Sequence, residues 1–445
     1  MSTSRSGDRG GRRPRFHSGY GTVSTALISR QTSLSVFFAV GLLIVIGGFI
    51  LQIGETETTE AFLATAGSIR SQVILGSIYL VASVLLMRSP SASAILVRAW
   101  PILVLPLLAF LSAAWSPDPS LTLRRSFAFL GTTLFGLSLA SRFTFEDGLR
   151  VIIQTLSFSM VLSVIWAVAL PAQGIHQATD FLAGFAGLWR GIFAHRNILG
   201  YNAGLTIALL MFYGGSAFHS WLLRGGALIA SVACLIGANS GSGFLVTFSL
   251  LALLSSVSLL RRLAPKHRLA MLALYSLVVA LSTIFLNEII AAALSILGKD
   301  PDLTGRAPYW HYLMALISED QPMIGYGYYA GFALKIRPEI YSLTGVDFLH
   351  PHNGYLDVII AFGYIGLAIC IFVFAWLEWR AIRLIILSAE RPFILNALPF
   401  ALITFVICHN AIEPSFLAAN SQVGVLLAWL TPRLVGLDMR RRQAT

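Results

Sequence analysis

His350-Pro351-His352-Asn353-Gly354-Tyr355-Leu356-Asp357 ends a long polar stretch and opens an apolar run over 354–379. A spanning helix needs about 20 such residues, so the run predicts a membrane-crossing helix that starts at a polar island. The arrangement recurs upstream. Trp189-Arg190-Gly191-Ile192-Phe193-Ala194-His195-Arg196-Asn197 stands directly before a second apolar run, 198–214. Arginine, histidine and asparagine are costly to desolvate at a membrane boundary, so both islands are candidate functional sites.

The same reading extends over the whole chain. Of 445 residues, 56% are hydrophobic and only 11% are charged, far below the roughly 25% of a soluble domain. Candidate spans fall at 33–53, 71–88, 96–115, 126–142, 150–170, 198–214, 219–238, 243–260, 269–294, 354–379, 393–412 and 418–436. The expected fold is an all-α polytopic membrane protein of about twelve transmembrane helices. The net charge of +11 is spread over short loops, which points to membrane topology and not to nucleic acid. Cys234, Cys370 and Cys408 all lie in apolar runs, and no disulfide framework is expected. No short apolar segment with a small-residue cleavage site follows the N-terminus, so no cleaved signal peptide is read.

Basic residues set the orientation. With the N-terminus inside, cytoplasmic segments hold 22 of the 31 lysines and arginines, and nine face out. Residues 1–30 then form a disordered basic cytoplasmic tail, 31–436 the transmembrane domain, and 437–445 a second basic cytoplasmic tail. Both islands fall on the outer face, in long outer loops near 171–197 and 295–353. The second loop carries Tyr309, Trp310, Tyr312, Tyr326, Tyr328 and Tyr329. That aromatic content predicts a folded cap on the membrane surface.

Several arginines share this outer level: Arg124, Arg125, Arg190, Arg196, Arg306 and Arg337. A guanidinium fork matches phosphate oxygens and keeps its charge, so arginines from separate loops could clamp a lipid diphosphate. The alternative is that they snorkel to headgroups or satisfy loop carbonyls. Imidazole titrates near neutral pH, so His352 could serve as a general base, with Asn353 fixing its orientation. It could equally only cap the following helix. Asp357 lies one turn beyond Asn353 on the same face. His350 and His352 lack a His-x-x-x-His or carboxylate spacing, so no metal site is expected. Asn239-Ser240-Gly241-Ser242-Gly243 reads either as a headgroup-admitting junction or as a tight turn with close helix packing. Glu413 ends the eleventh span on the same face and could pair with an arginine or act as a second carboxylate.

These residues, in this order, resemble the O-antigen ligase/polymerase superfamily, most closely its exopolysaccharide-polymerase-like branch. The likeness runs from Trp115-Ser116-Pro117-Asp118 and Arg124-Arg125 through Arg190-Gly191-Ile192-Phe193-Ala194-His195-Arg196-Asn197. It continues in Asn239-Ser240-Gly241-Ser242, which lacks the basic residue that relatives often carry there. Thr304-Gly305-Arg306, Pro322-Met323-Ile324-Gly325-Tyr326-Gly327 and His352-Asn353-Gly354-Tyr355-Leu356 complete it, and the coverage is about residues 100–430. The resemblance implies inverting glycosyl transfer on the outer face of a bacterial inner membrane, without metal, nucleotide or other cofactor. The donor would be a polyprenyl-diphosphate-linked oligosaccharide. Arg190 and Arg306 would hold the diphosphate, with Arg196 and Arg125. His352 would activate the attacking hydroxyl, with His195, Asn197, Asn353 and Glu413 lining the substrate site. Membrane lipids, a flippase and chain-length-control proteins are the implied partners. A ligase transferring a finished glycan is the rival in the same class. A secondary transporter is the rival in another class. It would need a midplane site and two related halves, and neither is visible.

The orientation is testable. Cysteines placed at Ser318 and Ser342 should react with an impermeant thiol reagent in intact spheroplasts. Reaction only after lysis would reverse the topology.

Overall fold

Inside a bilayer a segment must satisfy its backbone N–H and C=O groups internally, and a helix does so. The computed structural model describes residues 19–47, 69–178, 183–260, 262–284, 306–344, 348, 350–386, 393–411 and 413–444. The helices are α1 (Gly19–Gly47), α2 (Ile69–Met87), α3 (Ala92–Arg98), α4 (Trp100–Leu111), α5 (Pro119–Arg142), α6 (Phe145–Ala169), α7 (Arg196–Ala217) and α8 (Trp221–Ala238). They continue with α9 (Gly241–Leu260), α10 (Pro265–Ile284), α11 (Arg306–Glu319), α12 (Arg337–Thr344), α13 (Gly354–Ile386), α14 (Phe393–His409) and α15 (Gln422–Ala444). Among the described residues one isolated bridge, Ile175 to Trp189, stands outside this helical pattern.

Each of the twelve predicted stretches holds a helix among its described residues, with 48–53 and 285–294 lying outside them, and the chain is a multi-pass membrane protein. By length and composition six helices can cross a membrane: α2, α6, α7, α8, α9 and α13. A seventh is gained if α3 and α4 count as one span. The apolar parts of α1 and α14 are shorter, at Gln31–Gly47 and Leu395–His409, so the described residues do not yield the expected twelve on these criteria. The most buried of the spans is α7, with α6, α8 and α9 around it. On the other side α5 packs against α2, α4 and α15, and α14 lies against α9 and α13. All three cysteines are free thiols.

Two predicted spans are not straight. The stretch 96–115 bends by 75° between α3 and the segment Trp100–Ala114. Pro101 has no N–H to continue the ladder from α3 and sits in the first turn of α4, where no intrahelical donor is needed. The stretch beginning at Gly354 breaks at Gly363, which adopts φ 66° and ψ −167°. Tyr355 and Phe374 show how sharp the break is. Both rings pack on Phe416, at 5.3 and 4.4 Å between centroids. A straight helix would separate these two residues by about 28 Å along its axis, so α13 must turn back.

The loop 322–327 supplies the hydrogen bonds that the break removes. Ile360 and Ala361 carbonyls would ordinarily accept from Tyr364 and Ile365. Here they accept from Tyr326 and Gly327 at 2.7 and 3.0 Å, while Tyr364 and Ile365 donate to Pro322 and Met323 at 2.8 and 3.2 Å. These four groups are paired, as buried backbone requires. The rest of the loop folds over the first part of α13. Tyr309, Leu313, Ile317, Tyr326, Phe332, Ile336 and Ile340 form a core of their own with Leu356, Ile359 and Ile360. The predicted aromatic cap therefore packs as a small hydrophobic unit.

Gly363 tolerates no side chain. Its backbone lies in a region essentially restricted to glycine, and an added Cβ would stand 2.2 Å from the Met323 carbonyl carbon and oxygen. Gly363→Ala should lower stability by about 3 kcal/mol or more from strain and clash together. Thermal unfolding in detergent reads this, and an unchanged midpoint would mean that the break is incidental.

Candidate active site

The first island is bolted to the loop after α6. Arg190 and Gly191 N–H groups both donate to the Gly174 carbonyl, and Trp189 N–H donates to Gly237 at the end of α8, each at 2.9 Å. Arg190 is buried, and its Nε donates to the Gln173 carbonyl at 2.8 Å. Burial pulls its pKa below the ordinary arginine value. His195 caps α7, its Nδ1 accepting from Asn197 N–H at 3.2 Å. Burial, with the neighbouring His176, holds the His195 imidazole down at about 3, so it is neutral at physiological pH.

Arg196 stacks on Phe185 at 4.5 Å and donates to the carbonyls of Ala238 and Asn239 at 3.3 and 2.5 Å. A cation at a helix C-terminus is favourable. It also supplies from α7 the basic group that the Asn239–Gly243 junction lacks in its own sequence. The junction itself is a turn. Asn239 is left-handed, at φ 42°, and Ser240 Oγ accepts from Gly243 N–H at 3.2 Å.

The second island hangs from the cap. Trp310 Nε1 donates to the Pro351 carbonyl at 2.7 Å, and Tyr309 OH reaches the His350 carbonyl at 3.5 Å. Asn353 Oδ1 caps α13, accepting from Tyr355 and Leu356 N–H at 2.9 and 3.2 Å. Residue 306 begins α11 three and four positions before Tyr309 and Trp310, and so shares their face by register. The Arg306 side chain lies outside the described residues. Farther along, Arg125 stacks on Tyr329 at 3.9 Å and donates to its hydroxyl at 2.9 Å.

What joins the two islands is Glu413. Its Oε1 accepts from Asn197 Nδ2 at 2.8 Å. Its Oε2 stands 3.5 Å from His352 Nδ1 and 3.9 Å from His350 Nε2. Asn197 is fixed in turn by Ser240 Oγ, which donates to Asn197 Oδ1 at 3.0 Å and sits 3.0 Å from Ser242 Oγ. Sequence spacing gave no carboxylate partner to the histidine pair, and the fold supplies one. His350, His352 and Glu413 offer three ligand atoms within 4.8 Å of one another. Proton placement argues against a cation there. His350 Nδ1 accepts the His352 backbone N–H at 3.2 Å, so the neutral ring carries its hydrogen on Nε2, toward Glu413. A metal needs a bare nitrogen at that position.

Asn410, which the sequence reading missed, sets the turn that carries Glu413. Fully buried, it accepts on Oδ1 from Ser415 and Phe416 N–H at 2.8 and 2.9 Å and donates to the Val406 carbonyl at 2.7 Å. Its own carbonyl accepts from Gly354 N–H at 2.7 Å, so this one residue ties α13 to the turn. The available signal was a polar side chain beside a helix end with a serine five positions on. Asn410→Ala would strand two buried N–H groups and should cost about 2–6 kcal/mol, at about 1–3 kcal/mol each. Asn410→Asp keeps the acceptor and should melt between that variant and the wild type. Equal thermal midpoints for all three would show the turn is held otherwise.

Two comparisons with known proteins bear on this site. Residues 226–371, from α8 into α13, match the O-Antigen ligase family. The chain is also 24% identical over 355 residues to the exopolysaccharide production protein ExoQ of Rhizobium meliloti, covering 76% of this chain and 77% of that protein. The family match includes Arg306 and the second island, and Arg190, Arg196 and Glu413 lie outside it. The chain is thus similar to the O-Antigen ligase family over residues 226–371 and to ExoQ over most of its length.

Proposed function

We propose that the protein is an inner-membrane polysaccharide polymerase that joins polyprenyl-diphosphate-linked oligosaccharide repeat units on the periplasmic face. The observation that carries this reading is the meeting of both polar islands on Glu413, at one end of the helix bundle beside the cap. A site at one membrane boundary suits a lipid headgroup, whereas a transporter site would lie near the midplane.

In the proposed reaction His352 takes the proton of the attacking sugar hydroxyl on Nε2. The hydroxyl oxygen bonds to the anomeric carbon from the face opposite the diphosphate. The bond from that carbon to the diphosphate oxygen breaks, and the electron pair leaves with the diphosphate. Arg190 and Arg306 stabilise the charge that develops on this leaving group, and His352 then returns its proton to solvent. Arg196 and Arg125, already stacked and bonded to protein, shape the margin of the site. The residues assigned here need no cation for these steps. The termini are cytoplasmic, and the lipid carrier is of the undecaprenyl type. A flippase and chain-length-control proteins act before and after it. A ligase transferring a finished glycan would use the same chemistry on another acceptor.

Deleting the gene separates the two. Loss of long polymer with accumulation of single lipid-linked repeats identifies a polymerase, and polymer retained on its carrier identifies a ligase. In the complemented strain His352→Ala should reduce turnover by about 10²–10⁴-fold at normal protein level, as expected for loss of a base. His350→Ala should cost much less. Arg190→Ala and Arg306→Ala should each lose roughly tenfold to a hundredfold, with partial retention in the lysine variants. Wild-type polymer from His352→Ala, or from both arginine variants, would sink the corresponding role.

A further inference from the structure

The base reading leaves two questions open: which of two adjacent histidines acts, and on which nitrogen. His350 and His352 lie with ring centroids 3.9 Å apart, and both face one carboxylate. Their backbone contacts separate them. His350 Nδ1 is occupied as an acceptor and its Nε2 faces Glu413, so neither nitrogen offers a free lone pair to a substrate. His352 differs, because its Nδ1 faces Glu413 and its Nε2 is engaged with nothing in the cluster.

We propose that Glu413 is the positioning residue of the site. Its carboxylate keeps the proton of His352 on Nδ1 and leaves Nε2 as the basic atom, and the chain Ser242–Ser240–Asn197 holds that carboxylate in place. The four groups come from three places in the sequence: the turn after α14, the start of α7, and the junction of α8 with α9. Two links of the chain have a defined donor and acceptor: Ser240 Oγ to Asn197 Oδ1 at 3.0 Å, then Asn197 Nδ2 to Glu413 Oε1 at 2.8 Å. Oε2 faces the two imidazoles. At 3.5 Å the contact with His352 is a charge contact and not a formed hydrogen bond, and Nδ1 is buried with no closer partner. Catalytic contacts of this kind tighten when substrate binds. His352 itself is held in the left-handed region at φ 54°, an uncommon conformation for a residue other than glycine.

The sign of the effect is fixed by charge. A carboxylate beside an imidazole favours the charged ring, so replacing that carboxylate by an amide makes the ring harder to protonate. The other groups near Glu413 are His350, His195 and Arg196 on the island and start of α7, Tyr201 farther along α7, and His409 at the end of α14, with His176 beside His195. Asp357 follows along α13, and residue 306 opens α11. Among the described side chains at the start of α7 only Arg196 has a permanent charge, and a substitution at Glu413 leaves it in place.

The inference rests on His352 being the base, and its test does not depend on turnover. Diethylpyrocarbonate modifies only the unprotonated imidazole. Its extent at residue 352, read against pH by tandem mass spectrometry on the full chain in nanodiscs, gives the titration midpoint. In Glu413→Gln that midpoint should fall by about one unit relative to wild type, the shift expected on losing a carboxylate at this distance. Asn197→Ala, which frees the carboxylate without removing it, should move the midpoint in the same direction by less. An unmoved midpoint in Glu413→Gln overturns the proposal, and so does protection of both histidines in wild type that EDTA lifts. Should Glu413→Gln fail to fold, Asn197→Ala decides alone, and an unchanged midpoint there is fatal. Turnover of His352→Ala judges the base reading separately, because a shifted midpoint with full activity in that variant would retire the base and leave the carboxylate contact standing.

Discussion

The backbone exchange at Gly363 is the constraint on which the site depends. A helix can break inside an apolar environment only if the hydrogen bonds it gives up are replaced, because each unpaired buried group costs on the order of 1–3 kcal/mol. Here four are replaced by one loop, residues 322–327, in register with the break. The exchange turns α13 back on itself. It sets Tyr355 and Phe374 against the same ring, and Gly354 directly onto the Asn410 carbonyl. The second island thereby lies beside the turn that carries Glu413. The same exchange anchors the cap, whose core is completed by Leu356, Ile359 and Ile360 from the first part of α13.

Around that frame the polar groups divide into those that hold shape and those left to act. Arg196 ends α8 and fills the place of a missing basic residue at the serine junction. Arg125 spends its guanidinium on Tyr329, and Asn353 spends its oxygen on the start of α13. His195 is kept neutral by burial, which removes a positive charge that would otherwise compete for Glu413. The carboxylate is therefore directed at the His350–His352 pair on one oxygen and at Asn197 on the other. Burying a carboxylate is costly unless it is paired, and this one is held by contacts from two separate islands.

The cap shows how composition can be read without geometry. Six aromatic residues in one loop are too many for a solvated linker: Tyr309 and Tyr326 lie in the cap core with Trp310 and Tyr312 packed on it, and Tyr328 and Tyr329 join the main core. The Pro322–Gly327 segment, legible only as a family-like motif, turned out to be the loop that replaces the lost helix bonds. Its two glycines and its proline fit an irregular backbone, yet nothing in their spacing says which helix they would open.

The sequence by itself determined the fold class, the helix positions and the two polar islands, because each follows from local apolar length or local charge. A run of about 20 apolar residues has few alternatives in a bilayer, whatever it later touches. The tertiary structure alone decided that Glu413 meets Asn197 and His352, which stand 216 and 61 positions away from it in the chain. It also decided that Gly363 breaks its helix and that Asn410 sets the turn. These are contacts between segments distant in sequence, fixed by backbone pairing and helix packing, and no window of residues contains both partners.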